Sequence, residues 1–329
     1  MKRVEFVYLS QEDILDINLS LKEVIGLVEQ GLKEHGLKKV ENPPKPGIHP
    51  RKNSFIHAMP AYFRDLNIGG IKWVSGFPDN RDHQLPQILG LLILNDMSTG
   101  APLCVMDCRW ITAIRTAAVT AITAKYCARE DASVLGVVGA GVQGRHNLLA
   151  LKEMIPSIKK TKIFDINRKA AEKYQDELFQ KVGAEIIICE DVESVAKGSD
   201  IVITATQRLE RPLIKNDWFD KGCLGFGLEA SRAWHGDAIL CADKFITDDW
   251  EQTKYFREQG AFPDGLPTLY AELGRIVCGE KPGRENAEER ILAINIGLAL
   301  EDIIVASRVY EIAREKGLYK KLTLMEKEF

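Results

Sequence analysis

Three glycines set between an apolar run and a helix-compatible run limit what this chain can fold into more than any other feature. The stretch 133–165 carries VLGVVGAGVQGRHN at 134–147 and ends on TKIFD at 161–165. Residues before Gly139 suit a central parallel strand, those after Gly144 suit a helix, and 161–165 suit a second strand closing on Asp165. A glycine triplet alone can be an ordinary loop. In this strand–turn–helix–strand setting it is the fingerprint of a dinucleotide site. Gly139 is expected to make the tight turn, Gly141 to let the backbone approach a pyrophosphate, and Gly144 to let helix and strand pack closely. The phosphates would sit on N–H groups at the helix start, around Val142 and Gln143, where the peptide dipoles also favour negative charge.

Asp165 lies 21 residues beyond Gly144, the separation the fingerprint expects. A carboxylate there accepts hydrogen bonds from the adenine-side ribose hydroxyls and repels a 2′-phosphate, so NAD is expected rather than NADP. Asn167 and Arg168 pull the other way, because a nearby arginine can pair with the extra phosphate.

With 329 residues the chain can bury a substantial core and suits two domains better than one. Its 47 acidic and 44 basic residues leave a net charge of -3 without a long basic stripe, which argues against a nucleic-acid partner. The 7 cysteines form no CxxC pair, so buried thiols in a reducing, cytoplasmic compartment are expected rather than a disulfide frame. The N-terminus turns acidic at once and does not read as a signal peptide. No apolar run is long enough to span a membrane, and no metal site is expected.

Along the chain, 10–13 and 20–23 resemble capping boxes opening two helices, the second with Val24, Ile25, Val28 and Leu32 as its buried stripe. The proline-rich segment 41–51 gathers Lys45, His49 and Arg51 in a loop. Strands are expected at 54–60, 70–76, 87–95 and 102–107, the last two joined as a hairpin through 96–100. Lys72 emerges on one face of its strand with Val74, either as an edge lysine that discourages aggregation or as a functional group. A long alanine- and threonine-rich helix follows at 109–128. Arg115 sits within it among Ile111, Ala113, Ile114, Ala117 and Ala118, so its charge needs a partner, either an internal carboxylate or a bound one. Beyond the fingerprint, strands at 185–189, 200–206, 221–230 and 238–242 alternate with helices at 168–181 and 191–197. Thr204, Thr206 and Glu229 fall at strand carboxyl ends, where ligands bind in such sheets. Residues 250–285 read as helices and loops, and a last long helix covers roughly 297–316.

These segments together resemble the ornithine cyclodeaminase/mu-crystallin family over nearly the whole chain. The resemblance is carried by PPKPGIHP (43–50), MPAY (59–62), GIKWVSG (70–76), LILNDMSTGAPL (92–103), TAIRTAA (112–118), the glycine turn, GEKPGR (279–284) and GLALED (297–302). It implies an α/β fold in which a Rossmann-type dinucleotide-binding domain (129–296) is inserted into an α+β substrate-binding and dimerisation domain. The latter would be built from 1–128 and a helical return at 297–329. It also implies that Lys72 and Arg115 hold a substrate carboxylate. Lys45 stands where many members have arginine, Glu229 near an active-site aspartate, and Asn295 where many relatives have a serine close to the cofactor.

The chemistry so implied is NAD-dependent conversion of a small or basic amino acid through an imine. Its first form is ornithine to proline plus ammonia, with Lys72 and Glu229 as the catalytic groups. The alternatives are an alanine-type dehydrogenase, a cyclic ketimine reductase, or a nucleotide-binding protein without turnover. A homodimer built through the substrate domain is expected.

Overall fold

The computed structural model describes residues 3–207 and 209–326. The chain forms two compact units, Met1–Arg115 with Leu298–Phe329, and Thr116–Gly297. The second unit is thus inserted in the sequence of the first. The fold is α/β, a parallel Rossmann-like sheet within an α+β frame.

The first unit is organised on a mixed sheet in the order Lys320–Met325, Val4–Leu9, Pro102–Asp107, Ile88–Asn95, Ile68–Gly76, Phe55–Phe63, Val40–Glu41, with Gly47–Ile48 also paired to Phe55–Phe63. Ile88–Asn95 and Pro102–Asp107 form the expected hairpin, and the Gly100 amide donates to Asp96 O at 2.8 Å to close its turn. Helix Ala299–Lys316 packs on Phe55–Phe63, Ile68–Gly76 and Ile88–Asn95. Its Leu300, Ile303, Ile304, Val305 and Val309 are buried, and each contributes about 1.5–3 kcal/mol by leaving water. Helix Leu21–Gly36 buries Val24, Ile25, Val28 and Leu32 as its spacing requires.

The second unit is a parallel sheet in the order Glu185–Ile188, Lys160–Phe164, Val134–Val138, Ile201–Thr204, Leu224–Gly227, Ile291–Ala293, Lys244–Thr247, Leu269–Glu272. The strand order reverses beside Val134–Val138, the topological position at whose carboxyl ends such sheets bind ligands. Trp234 fills the space left by Gly225, where a Cβ would come within 2.4 Å of its ring, and meets Phe219 edge-on at 5.1 Å.

Several expectations change. Residues 238–242 are not a strand: Gly236–Leu240 is a short helix, and the strand is Lys244–Thr247. Alanine and leucine at 238–242 favour helix, whereas Phe245, Ile246 and Thr247 suit a pleated surface. The region 250–285 includes strand Leu269–Glu272, and Val4–Leu9, Ile291–Ala293 and Lys320–Met325 are further strands absent from the sequence reading. Ser10 and Asp13 form a full capping box, while Ser20 accepts the Glu23 amide without reciprocation. Lys72 lies on an interior strand of its sheet, flanked by Phe55–Phe63 and Ile88–Asn95, so it guards no edge.

Candidate functional site

In the first unit, strand alternation turns Lys72 and Val74 toward helix Ala299–Lys316, and Trp73 away from it. Lys72 is 1% exposed. Its Nζ donates to Asp302 Oδ2 at 2.5 Å. Arg115 enters the same cluster from helix Arg109–Cys127: Nε donates to Asp302 Oδ1 at 3.2 Å and Nη1 to Glu301 Oε2 at 2.5 Å. Asp302 thus bridges two cations that the sequence placed 43 residues apart, and both carboxylates come from the first turn of the C-terminal helix. Burial lowers the Lys72 ammonium below the usual lysine range. The Asp302 charge opposes that shift, and Arg115 adds to it. Of the two readings for Arg115, the internal carboxylates are present in this structure. Lys72 retains donors beyond the one taken by Asp302, since an ammonium carries three. Lys45 is buried two residues before strand Gly47–Ile48. Glu301 and Asp302 had no role in the sequence reading. Their signal was two adjacent acids embedded in an otherwise apolar helical run, LALEDIIVA.

In the second unit the glycine turn has the geometry its spacing implied. Gly139 has φ +113, and a Cβ there would lie 2.4 Å from Ala205 O. A Cβ at Gly144 would lie 2.0 Å from Gly139 O, so that glycine is what lets helix Val142–Met154 pack against the strand. Gly141 is the N-cap, makes no side-chain cap bond, and has open space where a Cβ would point. This is a cradle fitting a pyrophosphate. Val142 is exposed at the helix start, whereas Gln143 is turned along the helix, accepting from Asn147 Nδ2 through both its backbone and side-chain oxygens. Asp165 Oδ2 accepts the Ala140 amide at 2.8 Å and Oδ1 the Asn167 amide at 2.8 Å, tying it to the turn. Each carboxylate oxygen has a second lone pair for a hydroxyl. Arg168 is engaged by Glu190 at 2.7 Å and Glu172 at 3.5 Å.

The neighbouring strand end gathers Thr204, Thr206 and Glu229. Thr204 Oγ1 donates to Glu229 Oε2 at 3.0 Å, and Thr206 donates to Oε1 through its amide at 3.2 Å and its hydroxyl. Trp234 Nε1 donates to Thr204 Oγ1 at 3.2 Å. Glu229 retains some exposed surface, but its carboxyl group lies deep among neighbours. Burial pushes it above the usual range, against the threonine bonds. Asn295 Nδ2 donates to Thr123 Oγ1 at 3.1 Å, and Thr123 spends its own proton on Val119 O at 2.8 Å. That fixes the amide orientation and leaves Asn295 Oδ1 buried with no partner among the described residues. A buried acceptor in this state suits an amide donor such as a nicotinamide carboxamide.

Known proteins resemble this chain over nearly its whole length. The model of the ornithine cyclodeaminase/mu-crystallin family matches residues 5–317. The solved Delta(1)-pyrroline-2-carboxylate reductase of Thermococcus litoralis, in complex with NADH and L-proline, is 34% identical with a TM-score of 0.86, covering 96% of this chain and 99% of that one. An archaeal alanine dehydrogenase dimer with bound NAD is 31% identical with a TM-score of 0.87, covering 98% and 100%. The ornithine cyclodeaminase of Brucella abortus is 28% identical over 93% of this chain and 84% of its own length.

Proposed function

The chain belongs to the ornithine cyclodeaminase/mu-crystallin family, and from that premise we propose that it is an NAD-dependent oxidoreductase acting at the C–N bond of a small amino or imino acid. In the forward sense a cyclic or open-chain imino acid is reduced to the amino acid. In reverse the amino acid is oxidised to the imine. The observation that carries this reading is the buried cluster of Lys72, from the mixed sheet, and Arg115, from helix Arg109–Cys127, a pair of cations suited to one carboxylate. The relatives at 34% and 31% identity, a pyrroline-2-carboxylate reductase and an alanine dehydrogenase, favour a net redox reaction.

When bound, NAD supplies the hydride chemistry. The glycine turn at 139–144 and Asp165 would hold its pyrophosphate and ribose, and Asn295 Oδ1 its carboxamide. Arg115, braced by Glu301 and Asp302, fixes the substrate carboxylate, with Lys45 as a point charge. Lys72 Nζ completes that grip. With its affinity for a proton reduced by burial, it also releases one to an imine nitrogen as that nitrogen becomes an amine. Glu229 Oε1 and Oε2, oriented by Thr204 and Thr206, hold a proton or orient water.

A second reading is the redox-neutral conversion of ornithine to proline plus ammonia. Glu229 favours it, because an acid is what a distal amine needs for binding and deprotonation. The test supplies NADH with Δ1-pyrroline-2-carboxylate, NADH with pyruvate and ammonia, and catalytic NAD with ornithine. Stoichiometric loss of NADH with either of the first two supports net redox chemistry. Proline from ornithine without NADH accumulation would replace it with the cyclodeaminase reading.

A further inference from the structure

Asn295 presents its Oδ1, without a partner among the described residues, from the irregular segment 294–298 that follows strand Ile291–Ala293. What holds that segment is a buried acid on the neighbouring strand. Strands Lys244–Thr247 and Ile291–Ala293 run parallel with Ile246 opposite Ala293, and the Ile294 amide donates to Ile246 O at 2.9 Å. Two residues further on, the same register brings Asp248 level with Asn295. Asp248 is 0% exposed. Its Oδ1 accepts the Ile296 amide at 2.9 Å and its Oδ2 the Gly297 amide at 2.5 Å. Two successive amides converging on one anion make a nest. Gly297 completes it with φ +85, a left-handed conformation that glycine adopts without strain. Asp248 Oδ1 also accepts the Asp249 amide at 3.0 Å and the Thr247 hydroxyl at 3.3 Å. Asp249 in turn caps helix Trp250–Glu258 by accepting the Gln252 amide at 2.7 Å. The acid is thus anchored to regular structure on one side and carries the irregular segment on the other.

We propose that Asp248 is a positioning residue for the nicotinamide end of the cofactor, acting through Asn295. The proposal rests on the reading of Asn295 Oδ1 as the acceptor for the carboxamide. Asn295 has two attachments, its side chain to Thr123 and, through the two amides that follow it, its backbone to Asp248. The first sets which way the amide group is turned, and the second sets where it stands. A carboxylate suits this place because both its oxygens accept. An amide would offer one oxygen and set an NH2 group against an N–H on the other side, so Asp248→Asn must release one of the two amides. A hydrogen bond to the carboxamide has little tolerance for that movement, since such bonds fade beyond about 3.2 Å. The adenine half of the dinucleotide is spared, because Asp165 is tied to the glycine turn by bonds of its own.

The test compares two ligands by calorimetry on the full-length protein: NADH, and ADP-ribose, which has the adenosine and pyrophosphate but no nicotinamide. Wild type is expected to bind NADH tighter than ADP-ribose by about tenfold or more. Asp248→Asn should bring that ratio close to one while the affinity for ADP-ribose stays within about twofold. Asn295→Ala, which leaves the nest intact, should lose the same ratio. A ratio kept in Asp248→Asn but lost in Asn295→Ala would overturn the proposal and leave the carboxamide reading standing. So would an Asp248→Asn protein that weakens both ligands alike, the mark of a merely structural role. A wild-type ratio near one, or a ratio that Asn295→Ala keeps, would remove the carboxamide from Asn295 and the proposal with it. Gly297→Ala displaces the segment more gently and decides the matter where Asp248→Asn does not fold. A ratio reduced by about threefold or more supports the proposal, and an unchanged one overturns it.

Discussion

Lys72 Nζ reaches Asp302 Oδ2 at 2.5 Å across a sequence separation of 230 residues, and both side chains are buried. Arg115 shares the same carboxylate. Removing the Asp302 charge leaves two buried cations, with Glu301 beside Arg115. Asp302→Asn is therefore expected to cost about 3–5 kcal/mol, the usual effect of breaking a buried ion pair from one side. Urea denaturation measures it. A cost below 1 kcal/mol would mean that the cluster is wet.

The pH dependence of Glu229 has a definite sign. Burial raises its folded-state affinity for a proton above that of an ordinary glutamate, whose value is 4.5. As pH climbs from 4.5 through the raised folded value, the unfolded chain gives up this proton before the folded one does, so stability falls across that window. Glu229→Gln should lack that loss and gain on wild type as pH rises from 4.5 upward. Thermal melts at pH 4, 6 and 8 check it: parallel curves for the two proteins would contradict the burial of this carboxyl.

The three glycines of the turn should fail in different ways. Gly144→Ala forces a Cβ onto Gly139 O, an overpacking that costs about 1–3 kcal/mol. Gly141→Ala meets nothing within 4 Å and should change stability by about 1 kcal/mol or less, as an N-cap replacement does. It should nevertheless weaken NADH binding by about tenfold or more, because its methyl group occupies the phosphate approach. Fluorescence titration alongside melts separates the two effects. Normal NADH affinity in Gly141→Ala would move the pyrophosphate elsewhere.

Asp165 holds the amides of Ala140 and Asn167, and as the proposed ribose ligand it should favour NAD over NADP. Asp165→Ser is expected to narrow the preference for NADH over NADPH, measured as a ratio of binding constants. Because Arg168 is held by Glu190, Glu190→Gln in that background should narrow it further. A ratio unchanged by both substitutions would remove Asp165 from the ribose site.

The mixed sheet presents Trp73, 49% exposed, directly opposite Leu91, 41% exposed, on the face turned away from Lys72. An apolar sheet face of this kind suits burial against a second copy of the chain. The protein is expected to sediment as a dimer, and Trp73→Glu with Leu91→Glu to shift it to monomer without loss of secondary structure. A wild-type monomer at micromolar concentration would refute this.

Local patterns were legible in the sequence, and distant partnerships were not. The glycine turn, Asp165 and the strand-end residues Thr204, Thr206 and Glu229 were found because each is fixed by its place within a short repeating strand–helix unit. That Thr204 and Thr206 bond to Glu229 was not visible, since side-chain pairing across a sheet depends on strand order. Arg115 announced only that it needed a partner. The partners lie 186 and 187 residues away, and no periodicity links them to it. Residues 238–242 misled because a short apolar run suits helix or strand equally until neighbouring aromatic and β-branched residues compete for the ladder. Val4–Leu9 and Lys320–Met325 pair with each other across almost the whole chain, a relation of the same invisible kind.

That Asp302 arrives so late has a consequence for synthesis. Lys72 leaves the ribosome 230 residues before the acid that balances it, an interval on the order of ten to fifty seconds at ordinary translation rates. Through that interval the nascent first unit holds cations without the acids that pair with them, whereas the inserted unit has all its strands by Ala293, nine residues before Asp302. Birth order along the polypeptide and order of folding would thus run opposite, the middle setting first and the beginning waiting on the end.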